Sequence, residues 1–399
     1  MIAKLLKSIT FAFALLGAVT LLHAGEKTCA VTNPAGFVIT RGTNLSHWLS
    51  QDFRWHSREA WLTKNDLEFI AREGFDHVRL PVDEMELWNE DGSRNEAAFK
   101  LMREAIDWSR EAHLRVILDM HVLRSHHFNA ANEGGTNTLF SDPKAQQHLV
   151  KLWKDLASVV GDVPVSELAY EIMNEPVADN PEDWNKLVAL VSKAIRKTEP
   201  NRVLVIGANR WQIPQSVPLL KLPEGDKNII ISFHTYSPML LTHYTAEWIG
   251  LRDYKGPVNY PGVIAKTEGN AYLEKKQNDP ADGHFVKQAA EEWNPERIYK
   301  EIEPAVIRAK ELGLQLYCGE FGCLPTVPRE MRLAYYHDIV SVFEKNGIAW
   351  ANWEYKGDFG IFEWHGAKET LGAPDVRLLD ALMQRDGCTK CVKKPACAK

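Results

Sequence analysis

Eight short, almost continuously apolar runs recur along this chain, each followed by a longer stretch with helical periodicity, and few folds accommodate that rhythm. The runs are residues 39–45, 77–82, 115–122, 168–174, 203–208, 229–236, 315–321 and 348–355. A strand apolar on both faces must be covered on both, as in a parallel sheet. Between the runs lie amphipathic stretches at 95–113, 142–160, 181–198, 295–312 and 328–346, several opening on Pro or a capping Asp or Asn. Gly313 and Gly347 follow the last turns of two of them. Eight such units in 399 residues with no linker predict an α/β fold, a (β/α)8 TIM barrel. One interruption breaks the rhythm, residues 238–293, between strand 6 and helix 6. Its Tyr244, Trp248, Tyr254, Tyr260 and Tyr272 predict a packed insertion at the barrel rim.

The first residues carry Lys4 and Lys7, an apolar run from Ile9 to Leu22 and the small residue Ala24, which is the pattern of a secretory signal peptide over 1–24. The run is shorter than the roughly 20 residues a spanning helix needs, so no stable membrane insertion is expected after cleavage. Cleavage takes the formal charge from −6 to −8, and no Lys/Arg block offers itself to phosphate, which argues against a nucleic-acid partner. The barrel is expected over 25–387 and a cysteine-containing tail over 388–399. Export permits disulfides, and Cys29, Cys388, Cys391 and Cys397 are the candidates, with 15 pairings of the six cysteines left open. Cys318, inside an apolar run with no basic neighbour, reads as a buried thiol.

Polar residues at the C-terminal ends of the eight runs should converge on one face of a barrel. They are Asn44, His47, Arg79, Asp119, His121, Asn174, Glu175, Asn209, His234, Tyr236, Glu320 and Trp353. Glu175 and Glu320 stand out, each sitting where an apolar run gives way to a turn, on backbone rigid enough to hold a reacting carboxyl. Hydrolysis of a glycosidic bond takes two carboxyls with different tasks. Metalloprotease, nucleophile-elbow, phosphate-loop and dinucleotide motifs are absent. His126-His127 reads as part of a solvated loop. Thirteen Trp supply flat faces suited to sugar rings.

Taken together and in order, Arg41-Gly-Thr-Asn-Leu45, Gly74-Phe-Asp-His-Val-Arg-Leu-Pro81, Leu118-Asp-Met-His121, Glu171-Ile-Met-Asn-Glu-Pro176, His234-Thr-Tyr236, Cys318-Gly-Glu-Phe-Gly322 and Trp350-Ala-Asn-Trp353 resemble glycoside hydrolase family 5, the cellulase family. The wording around Glu320 and the insertion after Tyr236 are most similar to cellulase C-type endoglucanases. The resemblance implies that Glu175 is the acid/base and Glu320 the nucleophile of a retaining double displacement. It implies that Arg79 and Tyr236 keep Glu320 ionised, that His234 sits beside Glu175, that Asn174 and His121 bind sugar hydroxyls, and that Trp353 floors the sugar ring. Trp48, Trp211, Trp248, Phe359 and Trp364 are candidate sugar platforms. Two departures bear on linkage preference: Ser46-His47-Trp48 where many relatives carry glycines, and Val122 where a second histidine is common.

The expected activity is therefore a secreted hydrolase, extracellular or periplasmic, that cuts β-1,4 or mixed-linkage glucan internally, as a monomer and with neither cofactor nor metal. An exo-acting β-glucosidase, a β-1,3- or β-1,6-glucanase and a β-mannanase are the alternatives on the same fold. A carbohydrate-binding barrel without catalysis is the alternative from another class.

Overall fold

Apolar strands that cannot tolerate a solvent face close on one another. The structure, a computed structural model, describes residues 32–52, 57–129, 137–364 and 371–385, the side chains of Trp364 and Leu371 excepted. The leader, Cys29, Cys388, Cys391 and Cys397 lie outside the described residues, as does the Trp364 ring. Eight parallel strands form a closed barrel: β1 (Arg41–Asn44), β2 (His77–Asp83), β3 (Arg115–Val122), β4 (Leu168–Glu171), β5 (Val203–Gly207), β6 (Ile229–His234), β7 (Gln315–Glu320) and β8 (Ala349–Asn352). Each pairs with its neighbours in sequence, and β1 joins β8 to complete the circle. This is the (β/α)8 architecture expected from the sequence.

The helices start and stop where local chemistry dictates. Asn95, Asp142, Asn180 and Asn294 each accept a backbone N–H of the first helical turn through a side-chain oxygen. In Pro143–Val160, Pro181–Arg196 and Pro295–Leu312 proline takes the first helical position, where its missing N–H costs nothing. Gly313 ends the last of these in the left-handed conformation, φ 60°. Removing one cap, as in Asn294→Ala, should cost about 1 kcal/mol.

Two apolar volumes result. The larger lies between barrel and helices, holding Trp153, Trp184, Leu187, Trp293 and Phe343 among many others. The smaller fills the lower barrel interior with Phe37, Ile39, Ile117, Ala169, Val203, Val205, Ile230, Tyr317, Ala349 and Ala351, all buried. Above that plug the inward positions turn polar: Asn44 stands level with Arg79, and Asp119 with Glu171. The interior is thus apolar at the bottom and charged at the top.

Residues 238–293 form the expected rim insertion, with short helices at Met239–Thr242, Ala271–Lys276 and Gly283–Ala289 and a ribbon pairing Gly262–Val263 with Glu292–Trp293. It is fastened to the barrel helices. Ser237 and Gln288 donate to Glu301, Tyr260 donates to Asp338, and Tyr335 donates to the Ser237 carbonyl. Tyr254, Tyr260 and Trp293 are buried, which accounts for the aromatic richness of the segment. Among the described residues no helix is long and apolar enough to cross a membrane.

Candidate active site

Two bulges aim side chains into the cleft above the polar layer. Along β6 and β7 the register runs Phe233 with Cys318 and then His234 with Glu320, so Gly319 is the extra residue that turns Glu320 inward. Between β2 and β3 the register skips His121 in the same way. The Gly319 carbonyl accepts Nδ2 of Asn44, which also donates to the Asn352 carbonyl and so locks β1, β7 and β8 together at the top.

Arg79 is the centre of the site. Fully buried, its Nε donates to Glu171 at 2.6 Å, Nη1 to Glu320 at 2.7 Å and to Asn44 at 3.0 Å, and Nη2 to Asn174 at 2.8 Å, with Asp119 at 3.0 Å. Burial alone would discharge such a group, but Asp119, Glu171 and Glu320 around it more than reverse that and hold it charged. One cation cannot neutralise so many carboxyls. Burial accordingly lifts Asp119 and Glu171 to about 7 against the pull of Arg79.

Glu320 and Glu175 share the cleft in different settings. Glu320 accepts Tyr236 Oη at 3.0 Å in addition to the Arg79 fork. Burial raises its pKa, while Arg79 and the Tyr236 hydrogen bond pull it back. Glu175 contacts Nδ1 of His234 at 2.9 Å. Burial, with the charge of Glu320 added, pushes its carboxyl well above the ordinary range. When one proton is shared between the two, Glu175 holds it. Burial and Arg79 keep His234 neutral, and burial keeps Tyr236 a phenol.

Glu175 departs from the sequence expectation. The ladder of β4 ends at Glu171 rather than running to 174, and Glu175 lies four residues further on with φ 40°. Its N–H donates to Oε1 of Gln212 at 2.8 Å, and Gln212 belongs to a turn, 210–212, whose three residues all have left-handed φ between 54° and 58°. Each such non-glycine residue costs about 1 kcal/mol or more, so the surrounding bonds must hold them in place.

His121 lies on β3, buried beside Asp119 and Trp353. Its Nδ1 meets Asp119 Oδ2 at 2.7 Å and burial lowers its pKa to about 3, so Nδ1–H donates and Nε2 is an acceptor, with the amide nitrogens of Gln51 and Asn174 each 3.5 Å away. Trp353 stacks on it, rings 12° apart and centroids at 5.6 Å. Asn174 spends its oxygen on Arg79, and its NH2 lies 3.5 Å from Nε2 of His121.

Among the platform candidates, Trp211 and Trp248 are 47% and 46% exposed at the rim. Trp48 is not a platform: it is fully buried, with its indole N–H spent on the Arg58 carbonyl, because the run after β1 folds back under the rim. Phe359 is also enclosed, packed by Tyr236, His243 and Trp248, and backs the wall rather than lining an open face. Ser46 and His47 both turn to the buried Glu354, which itself caps the Phe359 N–H. Asn209 clips the backbone of Ala178 and does not enter the cleft. His126 is not solvated but buried, its Nε2 accepting the Val177 N–H. Cys318 and Cys323 are free buried thiols. Sequence reasoning missed Gln212 and Glu354: a non-glycine left-handed turn leaves no compositional mark, and a glutamate after an apolar run looks solvated.

Ligand atoms of Glu175, His234 and Glu320 lie within 4.8 Å of one another, a geometry able to receive a small cation. The positive charge at that point is already supplied by Arg79, 2.7 Å from Glu320.

The description Cellulase (glycosyl hydrolase family 5) matches residues 32–358. The chain belongs to that family. Endoglucanase C of Acetivibrio thermocellus is 33% identical over 328 residues, covering 80% of this chain and 92% of the relative. Cellodextrinase A of Ruminococcus flavefaciens is 28% identical, covering 78% and 84%. Among solved structures, a hyperthermophilic endo-beta-1,4-glucanase in complex with substrate is 25% identical with a TM-score of 0.67, covering 88% of this chain and 98% of that one. This family 5 protein is a glycosidase that hydrolyses O-glycosyl bonds.

Proposed function

We propose that this family 5 enzyme is a secreted, monomeric endo-glucanase acting on β-1,4 or mixed-linkage glucan with retention, Glu320 being the nucleophile and Glu175 the acid/base. The observation that carries the reading is the pair itself. One oxygen of each carboxyl lies within 4.8 Å of the other, which favours the spacing of about 5–5.5 Å typical of retention over the roughly 6.5–9.5 Å of inverting pairs. In the first step Glu320 attacks the anomeric carbon, the bond to the leaving oxygen breaks, and Glu175 transfers its proton to that oxygen. In the second, Glu175 takes a proton from water as the water oxygen attacks the same carbon and releases Glu320. Arg79 and Tyr236 favour the ionised nucleophile, and burial beside Glu320 favours the protonated acid. Asn174 and His121 would take sugar hydroxyls, with Trp353 as the floor. The naming of relatives as endoglucanases supports internal cleavage, and the lysine-flanked apolar leader supports export of a barrel spanning 25–387 ahead of the cysteine-containing tail.

Product profiling on cellulose, barley glucan, laminarin and mannan, with and without EDTA, tests this. Mixed oligosaccharides from barley glucan, formed at equal rates with chelator, are expected. Glucose alone as the early product, turnover confined to laminarin or mannan, or an EDTA loss restored by a divalent ion would reject it.

A further inference from the structure

The strained turn 210–212 has an occupation beyond presenting Trp211 at the rim. Gln212 is fully buried, and both ends of its amide and its backbone carbonyl are engaged on the Glu175 side of the site. Its Oε1 accepts the N–H of Glu175 at 2.8 Å, its Nε2 donates to Glu171 Oε1 at 3.3 Å, and its backbone carbonyl accepts the N–H of His234 at 2.9 Å. The first bond holds the backbone of a glutamate in a left-handed conformation, and the last holds the residue whose ring touches that glutamate's carboxyl. The amide orientation is unambiguous, because a backbone donor faces one end and a carboxyl the other. Through Glu171 the same side chain reaches Nε of Arg79, which grips Glu320. The structure reserves the space as well: a Cβ on Gly207 would collide with the Gln212 amide.

We propose that Gln212 is a positioning residue for the general acid, fixing the height of the Glu175 carboxyl above the cleft through its backbone N–H. Gln212 bonds Glu175 at its backbone N–H and acts on the reacting carboxyl only through that residue. The inference rests on Glu175 being the acid/base, and its test separates the two.

A misplaced acid slows only departures that need a proton. The test therefore compares kcat/KM for cellotetraose, whose leaving group is a sugar, with that for 2,4-dinitrophenyl β-cellobioside, whose leaving group needs none. In Gln212→Met the cellotetraose value is expected to fall by about 50-fold or more, and the dinitrophenyl value by less than about threefold. Equal losses on both substrates, or no loss on either, overturn the proposal, whatever the change in thermal midpoint. Should Gln212→Met not fold, Gly207→Ala, which displaces the same amide, is read by the same two arms. Glu175→Ala run beside them guards the premise. If it lacks the selective loss, the acid/base reading itself falls; if it shows the loss and the Gln212 or Gly207 variant does not, only the positioning role falls.

Discussion

The two glutamates reach one cleft by opposite structural means. Glu320 is the final residue of a regular strand, re-aimed by a single bulge and gripped directly at its carboxylate by a buried guanidinium and a phenol. Glu175 stands four residues beyond its strand on strained backbone, held by its N–H, with only a neutral histidine at its carboxyl. A nucleophile must be charged and still, so ligands on its oxygens serve it. An acid must lose and regain a proton in each cycle, so bonds that fix its backbone while leaving its oxygens lightly held serve it better.

Removing each carboxyl should expose the difference. Glu320→Gln is expected to lose about 10⁴-fold or more in kcat on every substrate, dinitrophenyl cellobioside included. Glu175→Gln should lose about 10²- to 10⁴-fold in kcat/KM on glucan and far less in kcat/KM on the dinitrophenyl substrate, whose kcat still falls because the second step needs the base. Equal losses in both variants on the activated substrate would erase the contrast. Protons supply a second probe. Asp119 and Glu171 titrate near 7 when folded and near 4 when unfolded, so the native state binds protons that the unfolded chain has released. Stability on this account is complete below about pH 4, falls as pH rises toward about 7, and then levels, with a slope of up to about 1.4 kcal/mol per pH unit for each group. Neutral buried His121 and His234 contribute with the opposite sign, so the comparison is with Glu171→Gln: from pH 4 to 8 the wild type should lose thermal midpoint relative to the variant, and a gain relative to it would contradict the buried-proton arrangement. The smallest effect belongs to the rim. Trp211 lies one residue from Gln212, with its backbone N–H on the Pro176 carbonyl just past Glu175, so Trp211→Ala should raise KM for long oligosaccharides about three- to tenfold without changing kcat on the dinitrophenyl substrate.

Regular structure was legible because it repeats. The apolar runs gave all eight strands, with ends misplaced by one to three residues where side-chain pattern continues but pairing stops, as at residues 172–174. The residues around Glu320 were legible for the same reason, lying on strands. What escaped depends on non-local bonds or on backbone sign. Gln212 matters because of Glu175 and Glu171, which are 37 and 41 positions away in sequence. Trp48 and Phe359 were misread as platforms because an aromatic ring in a rim loop has the same letter whether it faces solvent or the barrel wall. The burial of Glu354 was invisible until Ser46 and His47, more than 300 positions earlier, were seen to meet it.

The apolar plug across the lower barrel, from Phe37 and Ile39 to Tyr317 and Ala351, closes the interior from below. On the proposed mechanism, water can therefore reach a sugar esterified to Glu320 only through the mouth that the departing fragment has just vacated. A fragment that lingers on the Trp211 side keeps water out and presents its own hydroxyl to the same carbon. On that mechanism, the balance between passing the sugar to water and passing it to another chain is a matter of traffic through a single doorway.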